Sequence, residues 1–397
     1  MNMNKELNLS DLVRRSKKKT KPPGVTKPSN GNHKRRRKQE IVGLKIGSSQ
    51  IAASRVVNNG GPAKLVQLAR VPLEPGVVVA GEVRNVNALA TALDSFFTEN
   101  KLPRRGIRLG IGTNRIGVRT VDLDAIEDDN QVDNAIRFKA HEALSIPLDE
   151  AVLDYHVISE SVDESGAVTR RVLLAAAYQE PIDHYVNACR AAGIELSGID
   201  VEAFALLRAV APRAAGGAGD AEASEAVASV VVSIGHDRST LAISDGTVCD
   251  FMRVLDWGGA KLESAIARDL GLTGEEAAEL KLRLDLSSDD MYTDTDDDEP
   301  RLPRARAAVS HELQTLAREV IASLEFYQGE PGSLAIAEVL ITGGTTRLPG
   351  LADELERLTR VPVRVADPLA AVQVTNGLAE RDDLASLAVA IGLGVEN

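Results

Sequence analysis

Two stretches of this chain carry the residue types that cradle a phosphate. Val42-Gly43-Leu44-Lys45-Ile46-Gly47-Ser48-Ser49-Gln50-Ile51 reads as an apolar strand, Ile-Gly, small polar residues, then a second strand. Val231-Val232-Ser233-Ile234-Gly235-His236-Asp237-Arg238-Ser239-Thr240-Leu241 repeats the pattern in the other half of the chain. A phosphate needs several backbone N–H groups converging on one point with no side chain in the way. A glycine followed by Ser or Thr in a hairpin supplies that, with hydroxyl donors added. A third stretch, Val339-Leu340-Ile341-Thr342-Gly343-Gly344-Thr345, again runs a strand into glycines. One such hairpin alone is also what an ordinary β-turn looks like. Two at equivalent places, with a Gly-Gly turn after them, are more specific. The candidate ligand-binding residues are Lys45, Gly47, Ser48, Ser49 and Gln50 in the first hairpin, with Gly235, His236, Asp237, Ser239 and Thr240 in the second. Lys281, Gly343, Gly344 and Thr345 complete the set. There is no P-loop lysine motif and no dinucleotide fingerprint between a strand and a helix.

The elements that must hold these turns follow from periodicity. Strand patterns span 41–48, 50–57 and 63–73, with Asn59-Gly60-Gly61-Pro62 as a turn. A helix is expected over 86–100, with Leu89, Leu93, Phe96 and Phe97 on one face. Strands at 107–112 and 116–123, a helix at 128–144, strands at 151–159 and 169–178 and a helix at 181–192 follow. The second half predicts strands at 229–235, 239–244 and 247–254, and helices at 258–271, 273–284 and 304–327. Strand 337–342, helix 349–359, strand 363–365 and a last helix at 384–393 close the pattern.

The chain has 397 residues, 44% hydrophobic and 26% charged, which fits a soluble globular protein of two or three domains. Aromatics are only 3%. The core must therefore be aliphatic, and base-stacking nucleic-acid platforms are disfavoured. The net charge of −12 is unevenly spread: residues 1–40 hold thirteen Lys or Arg and three acids. That stretch reads as a disordered basic arm that anionic lipid or an acidic partner would attract, over an acidic body. Residues 213–228 read as an Ala/Gly/acid linker. Residues 287–300 read as a solvated loop, since seven acids in thirteen residues there lack the Gly and Glu spacing of a calcium loop. Cys189 and Cys249 fit buried, reduced thiols. No apolar run is long enough to span a membrane, and the start has no secretory pattern. His236 reads as a solvent-facing turn residue, and Trp257, the single tryptophan, as core packing or an interlobe wedge.

From Ile41 onward the chain resembles the PilM family of type IV pilus assembly proteins, relatives of FtsA in the actin-like ATPase superfamily. Gly43-Leu44-Lys45-Ile46-Gly47-Ser48-Ser49 is similar to the first phosphate motif. Glu142 to Tyr155 is similar to a stretch of the inserted subdomain, and Gly198-Ile199-Asp200-Val201-Glu202-Ala203-Phe204-Ala205-Leu206 to the return into the core. Gly258-Gly259 with Thr273 to Lys281 is similar to the connecting helices. Ile341 to Leu351 is similar to the adenosine motif, and Ala388 to Leu393 to the final helix. The resemblance implies an α/β, actin-like (ribonuclease H-like), two-lobed duplicated fold with an inserted α+β subdomain. It implies a first core subdomain over 41–79, 195–212 and 370–397, and an insertion over 80–194. The second core subdomain is expected over 229–257 and 335–369, and its satellite over 258–334. It further implies a cytoplasmic scaffold at the inner face of the membrane, with ATP and Mg²⁺ between the lobes. A groove between the first core subdomain and the insertion would hold the N-terminal peptide of a PilN-like bitopic protein, among other pilus assembly partners.

Three positions depart from that pattern. The family's Asp before the first Ile-Gly is Lys45 here, which cannot ligate Mg²⁺ but can pair with a phosphate. The Asp common before the second is Ser233, and a ribose-binding Glu is replaced by Ala278. Together they imply a site that binds nucleotide weakly, binds it without magnesium, or is purely structural, and they argue against efficient hydrolysis. The alternatives are an FtsA-like cell-division protein and a sugar-kinase-type enzyme, although the catalytic Asp that a sugar kinase needs has no match.

Overall fold

The computed structural model describes residues 39–124, 129–162, 168–210, 227–246, 248–287, 301–375 and 377–396. In chain order, β1 (Gln39–Ile46), β2 (Gln50–Asn58) and β3 (Ala63–Pro72) form a meander, followed by the small pair β4 (Val78–Val79) and β5 (Glu82–Val83). Then come α1 (Val86–Glu99), β6 (Ile107–Ile111), β7 (Ile116–Asp124), α2 (Asp129–Ala143), β8 (Ala151–Val162), β9 (Val168–Tyr178), α3 (Gln179–Ala191), β10 (Leu196–Val201) and α4 (Glu202–Val210). The second half runs β11 (Val227–Ile234), β12 (Ser239–Ser244), β13 (Cys249–Leu255), α5 (Gly259–Leu270), α6 (Gly274–Leu282) and α7 (Arg301–Gln328). It continues through β14 (Ala335–Thr342), a 3₁₀ turn at Gly344–Arg347, α8 (Leu351–Thr359), β15 (Val363–Val365), β16 (Val372–Val374), a 3₁₀ turn at Leu384–Leu387 and α9 (Ala388–Gly394).

The duplication is explicit in the sheets. One has the order β10-β6-β1-β2-β3-β16 and the other β13-β12-β11-β14-β15. In both, a central strand pairs antiparallel with the next strand in the chain and parallel with a later one: β1 with β2 and β6, β11 with β12 and β14. Parallel central strands are covered on both faces and read as continuous apolar runs. Val230, Val231, Val232 and Ile234 of β11 are all buried accordingly.

Helices α1 and α3 cover one face of the first sheet, and α5, α7 and α8 one face of the second. Between the sheets lie α4 and α9, whose Ala205, Leu206, Ala209, Val389 and Leu393 pack with Val231 and Leu340 of the second sheet. This crossing is backbone on backbone. A Cβ on Gly392 would lie 1.8 Å from the Ala205 carbonyl oxygen, so only glycine fits. The carbonyls at the end of α9 are taken by side chains: Arg208 Nε donates to Gly392 O at 3.0 Å and Asn58 Nδ2 to Gly394 O at 3.0 Å.

A separate sheet, β7-β9-β8, is backed by α2 through Leu123, Ile136, Ala140 and Leu174. Its other face meets the second lobe, where Val118 and Ala175 pack with Ala242, Cys249 and Met252. The expected insertion over 80–194 is therefore too wide. Strand β6 lies between β1 and β10 in the first sheet, and α1 packs on that same sheet. Two further boundaries shift: Gln39 and Glu40 belong to β1 rather than to the arm, with Arg55 Nε donating to Glu40 Oε1 at 2.5 Å, and Val227 opens β11. The remainder of the arm, of the linker and of the acidic run after Ser287 lies outside the described residues. Residues 196–210, which the periodicity left unassigned, form β10 and α4.

Candidate functional site

The two hairpins have the same geometry. Gly47 N–H donates to Gln50 O and Gly235 N–H to Arg238 O, both at 2.9 Å, so each Ile-Gly closes a tight turn. The Gly343 turn comes against the second hairpin. Gly343 has φ +98°, and a Cβ there would sit 2.3 Å from the Ile234 carbonyl oxygen. Thr345 Oγ1 donates to Gly235 O at 2.9 Å, and so does Gly259 N–H from the start of α5. A Cβ on Gly259 would be 2.6 Å from Thr345 Oγ1 and 3.4 Å from Lys281 Nζ. Gly235, Gly259, Thr345 and Lys281 thus converge. The first hairpin reaches the same place through the 383–387 segment: Gln50 Nε2 donates to Ser386 O at 3.4 Å, and Gly343 N–H to Ala385 O at 3.0 Å. Gly344, which opens the 3₁₀ turn, lies beside Ser386.

Other candidates are already engaged. Ser239 is fully buried and gives its hydroxyl to Trp257 O at 2.7 Å, and Thr240 is buried one residue into β12. Ser49 accepts Leu73 N–H through its backbone oxygen at 2.9 Å. His236 is exposed, and its carbonyl accepts Ala260 N–H at 2.7 Å. Trp257 is buried in the core of the second lobe and donates to Glu312 Oε1 at 3.0 Å, which settles it as core packing. Ser48 Oγ is buried and has no partner. A buried hydroxyl of that kind is a donor in waiting.

The charges form a cluster that the motifs alone did not reveal. Lys45 forms an ion pair with Glu202, the first residue of α4; the lysine side chain is 25% exposed and the carboxylate 6%. That carboxylate packs on the end of β6, where a Cβ on Gly112 would lie 2.7 Å from Glu202 Oε2. Lys281 is likewise ion-paired, with Glu263 on α5. From the second hairpin, Arg238 Nη2 reaches across to Gly112 O at 2.7 Å, while its Nε and Nη1 are buried without a partner. Asp237 Oδ2 accepts Ala80 N–H at 3.0 Å. Tyr185 donates its hydroxyl to Gly81 O at 3.1 Å. Burial pushes the Tyr185 phenol up, with Glu202 adding to the shift and Arg238 opposing it. Glu202, Glu263, Arg238 and Tyr185 were all missed as site residues. The one readable signal was a lone acid, Glu202, opening a largely apolar helix after a strand.

Orphaned donors at Ser48 and Arg238 fit an anion such as a phosphate group. Mg²⁺ does not fit: Glu202 is neutralised by Lys45, and among the described residues no group of His, Cys, Asp and Glu is arranged to hold a metal ion. The arrangement can bind and orient an anion.

A second concavity lies where β6, β7, β9 and α3 meet. Ile111, Thr113, Arg115, Tyr178, Ile182 and Tyr185 line it. The Arg115 guanidinium stacks 5.2 Å from the Tyr178 ring centroid and lies 3.4 Å from Glu82.

The family model of type IV pilus assembly protein PilM matches residues 43–397. The chain belongs to the PilM family. Among solved structures, it is similar to a chain of a PilM–PilN type IV pilus biogenesis complex, with 26% identity and a TM-score of 0.71 over 89% of this chain and 97% of that one. MreB5 of Spiroplasma citri bound to ADP shares the fold, with 11% identity and a TM-score of 0.50 over 89% and 94% of the two chains. Among curated proteins, the cell division protein FtsA of Pseudomonas aeruginosa is 24% identical over 85% of each chain, and that of Bacillus subtilis 22% identical over 82% and 78%. The expected relation to FtsA and the actin-like ATPase fold are thereby shown for this PilM-family chain.

Proposed function

We propose that this protein is a cytoplasmic scaffold of type IV pilus assembly that captures the N-terminal peptide of a PilN-like single-span membrane protein. The observation that carries this reading is its likeness, over nearly the full length of both chains, to the partner-bound PilM. The crevice lined by Tyr178 and Tyr185 lies between the first sheet and the β7-β9-β8 sheet, where the resemblance puts that peptide. The crevice is narrow, with about 10 Å³ of open volume, so an extended segment would have to part its apolar walls beside Arg115. Among the described residues no helix is long and apolar enough to cross a membrane. Membrane attachment then rests on the captured protein, with the basic arm as an added electrostatic contact to anionic lipid.

The cleft between the hairpins is the seat of a weak nucleotide site. Lys45, Gly47, Ser48, Ser49, Gln50, Gly235, His236, Asp237, Gly343, Gly344 and Thr345 would surround ATP, with Lys281 toward the nucleoside. Lys45 occupies the place of the family's magnesium-binding Asp and its pairing engages Glu202, which leaves no carboxylate of that pair for Mg²⁺, so ATP would bind without magnesium and turn over slowly if at all. Deleting the gene tests the assignment. Loss of surface pili with normal septation is expected, whereas filamentous cells with normal pili would favour the FtsA-like role that the curated relatives suggest.

A further inference from the structure

The cleft and the crevice share hydrogen-bonded residues along two separate routes. Arg238, from the second hairpin, donates to Gly112 O at 2.7 Å. Gly112 sits between Ile111 and Thr113, which both line the crevice. Asp237, from the same hairpin, accepts Ala80 N–H at 3.0 Å, and the next residue, Gly81, accepts the hydroxyl of crevice-lining Tyr185 at 3.1 Å. Ala80 is held at φ +52°, a left-handed conformation that an alanine adopts only where its surroundings impose it.

We propose that Arg238 and Asp237 couple the two sites, so that an anion drawn onto the second hairpin changes the shape of the peptide crevice, and a peptide in the crevice changes the anion affinity of the cleft. This rests on the nucleotide and peptide reading given above. The driving force lies in the guanidinium itself. Arg238 Nε and Nη1 are buried and unpartnered, so a phosphate entering the cleft would satisfy donors that nothing satisfies now. Turning toward that phosphate would weaken the bond to Gly112 and release the end of β6. Coupling of this kind is reciprocal, and typical cases alter affinity by about 5-fold or more.

Hydrogen exchange read by mass spectrometry on the full chain tests the coupling, using ATP as the probe. In the wild type, ATP should protect the two hairpins and also alter exchange at 78–83, 110–116 and 178–186. Protection of the hairpins with those three segments unchanged would overturn the coupling while leaving the nucleotide site standing. No change anywhere would remove the nucleotide reading, and the ligand-free comparison would then decide. Without ATP, Arg238→Ala should raise exchange several-fold in the three segments while leaving β11 and β14 as protected as before. Asp237→Asn, which keeps an acceptor for Ala80 N–H, should leave 78–83 close to wild type, and Asp237→Ala should not. Unchanged exchange in Arg238→Ala and Asp237→Ala would overturn the proposal.

Discussion

Lys45 and Glu202 lie 157 residues apart in sequence and form an ion pair on the floor of the cleft. One comes from the end of β1 and the other from the first turn of α4, so the pair ties the first hairpin to the helix packed between the two sheets. Removing Lys45 leaves a nearly buried carboxylate uncompensated. A fully buried pair costs about 3–5 kcal/mol to break in this way. Lys45 is 25% exposed, so Lys45→Ala should cost on the order of 2 kcal/mol. Lys45→Met with Glu202→Leu should recover most of that loss. Urea unfolding of the two variants checks both values.

The same pair sets the ion requirement of the cleft. Lys45→Asp puts two carboxylates face to face, which repel until a cation neutralises them. Calorimetric titration should show ATP binding that is indifferent to Mg²⁺ in the wild type and Mg²⁺-dependent in Lys45→Asp. Strongly Mg²⁺-dependent binding by the wild type would refute the loss of the magnesium site at Lys45.

Gly392 is where α9 meets the backbone of α4, and a Cβ there would lie 1.8 Å from the Ala205 carbonyl oxygen. Gly392→Val should destabilise by about 3 kcal/mol or more, as overpacked cores do. Gly332→Ala is a poor control because of its φ of +81°, whereas Gly274, which has open space and an ordinary φ, should accept alanine at little cost. Thermal melts of Gly392→Val and Gly274→Ala separate the two cases.

Asp154 on β8 is the clearest acid–base feature outside the cleft. Burial raises its carboxyl to about 6 from an ordinary 3.8, partly opposed by the Tyr155 N–H that it accepts at 2.8 Å. Because the folded value is the higher one, its stabilising contribution is complete below about pH 3.8 and is lost as pH rises through about 6. Asp154→Asn should therefore raise stability at pH 7, by on the order of 1 kcal/mol after solvent screening, and have no such effect at pH 4. Melting temperature against pH for both proteins gives the comparison.

How much of this was legible before the structure depended on how local the physics was. Gly47, Gly235 and Gly343 announced their turns because glycine between a strand and small polar residues has few other uses. Strand β15 fell at 363–365 as read, and α6 (Gly274–Leu282) lies within the expected 273–284. Strand β6 was misplaced into the insertion because its partners, β1 and β10, are parallel and distant, and periodicity carries no information about pairing. The charges of the cleft were half legible. Lys45 stood out as a departure from the family pattern, but its partner Glu202 is fixed by the docking of α4 onto the sheet, which no local pattern encodes. Arg238 was passed over because a basic residue in a turn ordinarily faces water, and here it crosses to the other lobe.

The proposed occupant of the crevice between the first sheet and the β7-β9-β8 sheet is a membrane protein's N-terminal peptide. Affinity capture from solubilised membranes, comparing the wild type with an Arg115→Ala/Tyr178→Ala variant that keeps the wild-type melting temperature, addresses it directly. The wild type should recover a single-span protein with a short cytoplasmic N-terminus, and the variant should lose it. Recovery of no such protein by the wild type, or equal recovery by both, would contradict it.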